Sequence, residues 1–597
     1  MTTTDEVPVA ASQQMQDNLA KIETLTQRLV DALAKKRPPN PAIDGPGLDL
    51  YLNTSAALLK ELAENPSKIL EAQVTYWGQA MKHYVEATHA LSQGAFKAPA
   101  DPGPKDRRFT NPLWDTHPYF NFVKQQYLIS AKAMEDAVER IEGLDPVDRR
   151  RLTYFTRQIV DMMAPTNFLA TNPDALERAV ATEGASLVQG LENLVRDVEE
   201  NRGELIVTLS DKNAFAVGQN IGTAEGSVVF RNRMFELIQY KPTTETVHRT
   251  PLIIFPPWIN KFYILDLKPA NSLIRWIVDQ GFTLFVVSWK NPDASYADVG
   301  MDTYVSEGYL TAIEQVKEIT GEKKVNAVGY CIAGTTLSLT LALLEKRKDK
   351  SINSATFLTT LTDFSDQGEF TAYLQDDFVG GIEHLIKQQG VLAASFMQRT
   401  FSFLRANDLI YAPAIRSYML GESPPAFDLL YWNGDSTNLP GRMAVEYLRG
   451  LCQEDRFTSK GFPLLGETVK ISEVKVPLCA LACETDHIAP WIASFNGMAQ
   501  MGSADKTFIL SESGHVAGVV NPPTKRKYGH YTSEAPIRDP NEWKGKASYH
   551  DGSWWPTWGA WLAERSGAMV PARAPGGAKH PVLGPAPGTY VSEVVAA

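Results

Sequence analysis

The sequence predicts an α/β protein: a mostly parallel sheet covered by helices on both faces, carrying a cap insertion and preceded by a mainly helical region. Three observations predict it. From about residue 226 short apolar runs alternate with helical stretches. The residues before 226 show helical periodicity and little else. Between about 360 and 445 the alternation gives way to a stretch rich in aromatics.

In chain order, residues 1–105 form a first helical segment. Within it, 17–35 sets Leu19, Ile22, Leu25, Leu29, Val30 and Leu33 near a 3.6-residue period, and 58–91 is also helix-like. The Pro-rich stretch 96–104 reads as a linker closing this segment. A helical domain is expected at 106–225, with helices over roughly 117–205; one start is legible where Asn172 can cap and Pro173 fits the first turn. Residues 226–597 form the third region. There 226–240 reads as β, and strands follow at 251–255, 282–288, 324–329, 355–358, 477–483 and 507–510. Helices are expected at 269–280, 303–319, 334–347 and 490–501, and the insertion at 360–445 would cap the sheet.

Composition excludes several classes of function. With 44% hydrophobic and 21% charged residues among 597, the chain can bury a large core and is not globally disordered. Its balance of 58 − 69 = −11 argues against a nucleic-acid binder working through a basic surface. Four cysteines, at 331, 452, 479 and 483, make neither a disulfide scaffold nor a paired zinc site, so no metal is expected. The first residues lack a basic and then apolar leader, which makes the cytoplasm the default expectation. The uncharged window 325–344 is about long enough to cross a bilayer. Its Asn326, Gly329, Gly334 and clustered hydroxyls instead fit a buried strand running into a buried helix, so no membrane span is expected.

The chemistry centres on Gly329-Tyr-Cys331-Ile-Ala333-Gly334, placed between a predicted strand and a predicted helix. This is a nucleophile elbow with cysteine in place of serine and alanine at the last glycine position. A nucleophile in a tight turn needs small flanking residues, which Gly329 and Ala333 supply. The dipole of the following helix favours thiolate, and the Ile332 N–H can face a developing oxyanion. In such folds an acid and then a histidine follow the nucleophile on later strand ends. Asp486 follows the strand at 477–483, and His515 follows the strand at 507–510. Glu484 is a rival acid closer to the strand end; His487 adjoins the acid and reads better as a substrate or supporting group. Cys479 and Cys483 lie four apart on one strand face and read as core thiols, and Cys452 as structural. The loop Pro256-Pro-Trp-Ile-Asn-Lys261 leaves an earlier strand and offers the Trp258–Ile259 backbone as a second oxyanion donor, with Asn260 as a nearby polar group. The chain carries no P-loop and no dinucleotide fingerprint, so no nucleotide cofactor is expected.

With these residues in place, about 110–597 resembles the class I polyhydroxyalkanoate synthases. The resemblance is carried by Asp106-Arg-Arg-Phe109, by Pro256-Pro-Trp-Ile-Asn-Lys261 with Tyr263-Ile-Leu-Asp266, and by Val287-Ser-Trp-Lys-Asn-Pro-Asp293. It continues through Gly329-Tyr-Cys331-Ile-Ala-Gly334, Leu358-Thr-Thr-Leu-Thr-Asp-Phe364 and Tyr431-Trp-Asn-Gly-Asp-Ser-Thr-Asn-Leu-Pro440. Near the end come Glu484-Thr-Asp-His487, Ser513-Gly-His-Val-Ala-Gly-Val-Val-Asn-Pro-Pro523, Gly552-Ser-Trp-Trp555 and Pro585-Ala-Pro-Gly588. Ala333 departs from the glycine many members carry, and 1–105 matches weakly.

The resemblance implies an α/β-hydrolase fold with a lid, and polymerisation of (R)-3-hydroxyacyl-CoA, short-chain monomers such as 3-hydroxybutyryl-CoA, into polyester with release of CoA. No separate cofactor is implied, because CoA belongs to the substrate. Cys331, Asp486 and His515 would be the catalytic triad; Asn260, Tyr263 and His487 are the candidates for substrate contact. Homodimers and residence at cytoplasmic polyester granules are implied as well. The lid candidates in 360–445 are Phe364, Phe370, Tyr373, Phe378, Phe396 and Phe401. The rival enzyme reading is a cysteine α/β-hydrolase, a thioesterase or intracellular polyester depolymerase, which shares the triad but releases free acid.

Overall fold

The computed structural model describes residues 9–36, 50, 52–57, 60, 66–92 and 106–593. The expected linker at 96–104 and the start of the helix expected from residue 58 lie outside the described residues. The chain divides into two compact units, Met1–Asp211 with Arg399–Pro425, and Lys212–Gln398 with Ala426–Ala597. The division thus falls near residue 211 rather than 225, and 399–425, expected within the cap, belongs with the N-terminal helices.

The first unit is helical: α1 (Val9–Leu33), α2 (Pro66–Ser92), α3 (Pro118–Arg140), α4 (Pro146–Met162), α5 (Pro173–Ala181) and α6 (Ala185–Glu200). The Asn172 side chain accepts a hydrogen bond from the Ala175 N–H at 3.0 Å, and Pro173 opens α5. Leu25 of α1 packs with Val188 and Val195 of α6. Trp114, Phe120, Tyr127 and Val160 form a second cluster around Phe109. Beside it, Arg108 is clamped by Asp106 at 2.7 Å and Asp161 at 2.9 Å, which accounts physically for the Asp-Arg-Arg-Phe motif. Segment 399–425 joins this unit because α6 is cut to receive it. A Cβ on Gly190 would stand 2.0 Å from the Tyr418 carbonyl oxygen, and the Tyr418 hydroxyl donates to buried Asp197 at 2.8 Å.

The second unit is built on one sheet. Its strands are β1 (Gly226–Arg231), β2 (Phe235–Tyr240), β3 (Leu252–Phe255), β4 (Leu284–Trp289), β5 (Val325–Tyr330), β6 (Ile352–Leu358), β7 (Leu478–Cys483), β8 (Lys506–Ser511), β9 (His530–Thr532), β10 (Ser548–His550) and β11 (Gly584–Pro585). Their spatial order is β10-β9-β8-β7-β6-β5-β3-β4-β2-β1-β11. The six strands from β3 to β8 are mutually parallel, and the pairs toward both edges are antiparallel. Strands buried on both faces read as continuous apolar runs, which is why Leu-Ile-Ile-Phe and Leu-Cys-Ala-Leu-Ala-Cys were legible. The covering helices include α7 (Leu273–Asp279), α8 (Thr311–Thr320), α9 (Ile332–Lys346), α10 (Trp491–Gln500) and α11 (Trp555–Glu564). In 325–344 the strand β5 runs into α9, buried from Ile332 to Leu344, and among the described residues no helix is long and apolar enough to cross a membrane.

The chain leaves the sheet after Leu358 and rejoins it at Leu478, so the intervening stretch is longer than the 360–445 expected. Phe370, Tyr373, Phe378 and Phe396 follow one another there as tilted ring pairs, with centroids 5.3–6.4 Å apart. Phe364 instead meets Tyr447 edge-on, and Phe401 falls in the segment of the first unit.

Candidate active site

β5 ends at Tyr330 and α9 starts at Ile332, so Cys331 carries the whole reversal. Its φ of 55° and ψ of −127° lie where side-chain-bearing residues seldom go, at a cost of about 1–3 kcal/mol. The surroundings hold it there. The Cys331 N–H donates to the Leu358 carbonyl at 2.8 Å, and its own carbonyl accepts from the Gly334 N–H at 2.8 Å and the Thr360 hydroxyl at 3.2 Å. The demand for small neighbours falls on Gly329 and Gly334. A Cβ on Gly329 would lie 2.5 Å from the Gly334 Cα, and one on Gly334 would lie 2.1 Å from Thr360 Oγ1. Ala333 is fully buried in the same turn, and its carbonyl accepts the Tyr309 hydroxyl at 2.8 Å. Gly329→Ala should therefore destabilise the fold by about 1–3 kcal/mol, since backbone opposes the added methyl and must itself move. The checks are thermal denaturation and the rate of Cys331 alkylation, both of which should fall.

Parallel strands bring their carboxyl ends to one edge of the sheet, so the loops after β5, β7 and β8 meet there. His515 Nδ1 is 2.6 Å from Asp486 Oδ2, and both side chains are buried. The other Asp486 oxygen accepts the Ile488 and Ala489 N–H groups at 2.8 and 2.9 Å. This carboxylate thus caps the turn before Pro490 and orients the imidazole at once. The Cys331 sulfur lies close enough to the His515 ring to act on it electrostatically. Burial pulls His515 toward its neutral form, but Asp486 and the Cys331 sulfur outweigh burial and hold its pKa well above the ordinary imidazole value. Glu484 is exposed and paired with Lys544 at 3.0 Å, which removes it as the acid. Cys452, Cys479 and Cys483 are buried, and burial pushes each thiol upward.

Several side chains that hold His515 carried no chemical signature in the sequence. Tyr330 stacks on the imidazole at 6.0 Å and directs its hydroxyl to the His515 carbonyl at 3.4 Å. Trp554 and Trp555 donate their indole N–H groups to the Gly518 and Val519 carbonyls, each at 2.9 Å. The Gly-Ser-Trp-Trp motif therefore clamps the histidine loop. Tyr447, far along the chain, stands edge-on to both Trp258 and Phe364 and close enough to Cys331 to interact with it electrostatically.

The loop after β3 is laced to the 431–440 motif. Thr437 donates its hydroxyl to the Trp258 carbonyl at 2.9 Å and its N–H to the Ile259 carbonyl at 3.0 Å. A trans peptide points its C=O and N–H in opposite directions, so the Ile259 N–H faces away from Thr437. Ile332, as a first-turn residue of α9, has no carbonyl partner for its N–H within the helix. Asn260 reaches Ser436 at 3.3 Å and is partly exposed. Tyr263 is fully buried and donates to Asp435 at 2.8 Å, and Asp435 also pairs with Lys261 at 2.9 Å. Tyr263 thus braces the loop from within rather than facing a substrate; burial and the Asp435 charge push its phenol pKa far up. His487 is partly exposed on the Asp486 loop, on the side where Gly368 packs. Among the described residues no group of three or more His, Cys, Asp or Glu is arranged to hold a metal ion.

Residues 105–277 match the family model described as the N-terminus of poly-beta-hydroxybutyrate polymerase (PhaC), and 251–522 match that of the alpha/beta hydrolase fold. A poly(3-hydroxyalkanoate) polymerase of Methylorubrum extorquens is 41% identical over 574 residues, 94% of this chain and 94% of its own. The poly(3-hydroxyalkanoate) polymerase subunit PhaC of Rhizobium meliloti (strain 1021) is 40% identical over 88% of this chain and 86% of its own. That of Cupriavidus necator is 39% identical over 92% and 90%.

Proposed function

The chain belongs to the poly(3-hydroxyalkanoate) polymerase family, and from that premise we propose how its residues carry out the reaction. It is an acyltransferase that builds polyester from hydroxyacyl-CoA. The Cys331 thiolate attacks the thioester carbonyl, the bond to the CoA sulfur breaks, and His515 returns a proton to that sulfur. One thioester replaces another, so loading is nearly balanced in free energy. A 3-hydroxyl then attacks the acyl-cysteine while His515 takes its proton; an oxoester forms and Cys331 leaves as thiolate, a downhill exchange. Ile332 and the Trp258–Ile259 backbone stabilise the oxyanion, a contribution of about 2.7–4 kcal/mol for one such donor. Asn260 and His487 contact the substrate, and short-chain (R)-3-hydroxyacyl groups such as 3-hydroxybutyryl are its monomers. Homodimers at the granule surface complete the reading, supported by family membership alone.

The observation that carries this mechanism is the 2.6 Å Asp486–His515 bond beside a cysteine held at a strained strand–helix turn. The test is rapid acid quench with labelled 3-hydroxybutyryl-CoA, followed by peptide mapping. Label on the Cys331 peptide and insoluble polyester are expected; soluble hydroxyacid as the sole product would reject the polymerase in favour of a thioesterase. Asp486→Asn should retain slow loading but little chain growth. An amide keeps the turn through its oxygen while presenting N–H to Nδ1, which forces the wrong tautomer, a change costing about 10,000-fold in a comparable triad. Equal loss of loading and elongation would make Asp486 purely an orienting group.

A further inference from the structure

His515 lies on a loop that runs on into Pro523-Thr-Lys525-Arg526-Lys527-Tyr528 before β9 begins at His530. β9 is antiparallel to β8, with His530 opposite Ser511. The residues just before His530 therefore lie at the carboxyl end of β8, on the same rim as Cys331, Asp486 and His515. Tyr528 ties this basic run to the histidine loop. Its carbonyl accepts from the Asn521 side chain on that loop at 3.0 Å, and its ring lies 5.0 Å from the Lys527 ammonium. A fourth cation comes from the loop after β3: Lys268, which together with Lys527 acts on Lys525 as a like charge.

This clustering opposes the charge of the whole chain, which is −11. Lys525, Arg526 and Lys527 are exposed, and among the described residues no carboxylate lies within 4.0 Å of any of them. Asp428, the acid that acts on Lys525, is already paired with Lys268 at 3.1 Å. Like charges held together repel, and a bound polyanion relieves that repulsion. The part of the substrate that carries such charge is the nucleotide end of CoA, with its pyrophosphate and 3′-phosphate.

We infer that Lys525, Arg526 and Lys527, with Lys268 beside them, form the phosphate-binding subsite for the CoA moiety at the rim of the Cys331 site. The inference rests on the hydroxyacyl-CoA reading above, and it assigns these residues to binding rather than to chemistry. The experiment uses the full chain and the variant Lys525→Gln/Arg526→Gln/Lys527→Gln. Calorimetric titration with CoA itself tests the subsite without any turnover. The Kd for CoA should rise by about tenfold or more in the variant, as loss of three exposed charge contacts predicts. Raising the salt concentration should weaken CoA binding in the wild type much more than in the variant. In turnover, the wild type's preference for 3-hydroxybutyryl-CoA over the phosphate-free 3-hydroxybutyryl-pantetheine should shrink by a similar factor in the variant. An unchanged CoA Kd would overturn the assignment. Equal losses on the CoA and pantetheine esters would overturn it too, since they would mean that the run only supports the histidine loop through Tyr528 and Asn521. Failure of the polymerase reading shows separately, as absence of label on Cys331 while CoA still binds.

Discussion

Cys331→Ala should leave no acyl label on the protein and lower CoA release by about 10,000-fold or more, as removal of the nucleophile does in a related triad. The size of the effect follows from the surroundings. The other three thiols are buried, and burial pushes them upward, so none can substitute as acyl acceptor. The alanine methyl fits where the thiomethyl group stands, and the backbone holding the turn is unchanged. The folded variant should therefore melt close to the wild type while losing activity. Covalent label retained by the variant, or CoA release within tenfold of the wild type, would place the nucleophile elsewhere.

His515→Gln should nearly abolish turnover, and it carries a pH signature. In the wild type Asp486 and the sulfur hold the imidazole protonated above its usual range, so a cation faces Cys331 through neutral pH. Alkylation of Cys331 by iodoacetamide should accordingly be fast at pH 7 and nearly level between pH 6 and 8. Glutamine removes the cation, and alkylation at pH 6 should drop by about tenfold or more and climb steadily with pH. The linkage to stability has a fixed sign. A folded-state pKa raised above the unfolded value adds stability that is fully present below about pH 6.5, and is lost as pH rises through the folded value. The difference in melting temperature between wild type and variant should therefore be largest in mild acid and shrink in alkali. A difference that grows with pH would mean that the imidazole is held neutral, contrary to the geometry at Asp486.

The proposed triad is legible in the sequence because its members share a positional logic. Each follows a continuous apolar run, and the carboxyl ends of parallel strands must converge. Cys331, Asp486 and His515 each stand just past such an end. The residues that hold them were not legible in the same way. Thr437, Asp435 and Ser436 brace a loop more than 170 residues away, and nothing in their local pattern points to it. Tyr263, placed by motif among the substrate contacts, is drawn inward by Asp435. Segment 399–425 continues the cap in sequence, yet it packs with the N-terminal helices because Gly190 leaves room for the Tyr418 backbone.

Local pattern alone marks the six parallel strands from β3 to β8, the tight turn at Cys331, and the order in which sulfur, carboxylate and imidazole arrive. These follow from periodicity, from small residues around one cysteine, and from the ends of buried runs, all of them properties of neighbouring residues. Packing between distant segments sets Gly334 against Thr360, lets tryptophans near the end of the chain grip the histidine loop, and brings Lys268 to the basic run that follows it. Those outcomes depend on contacts between distant segments, and it is close packing and charge, acting across the assembled sheet, that choose among the partners each local pattern would accept.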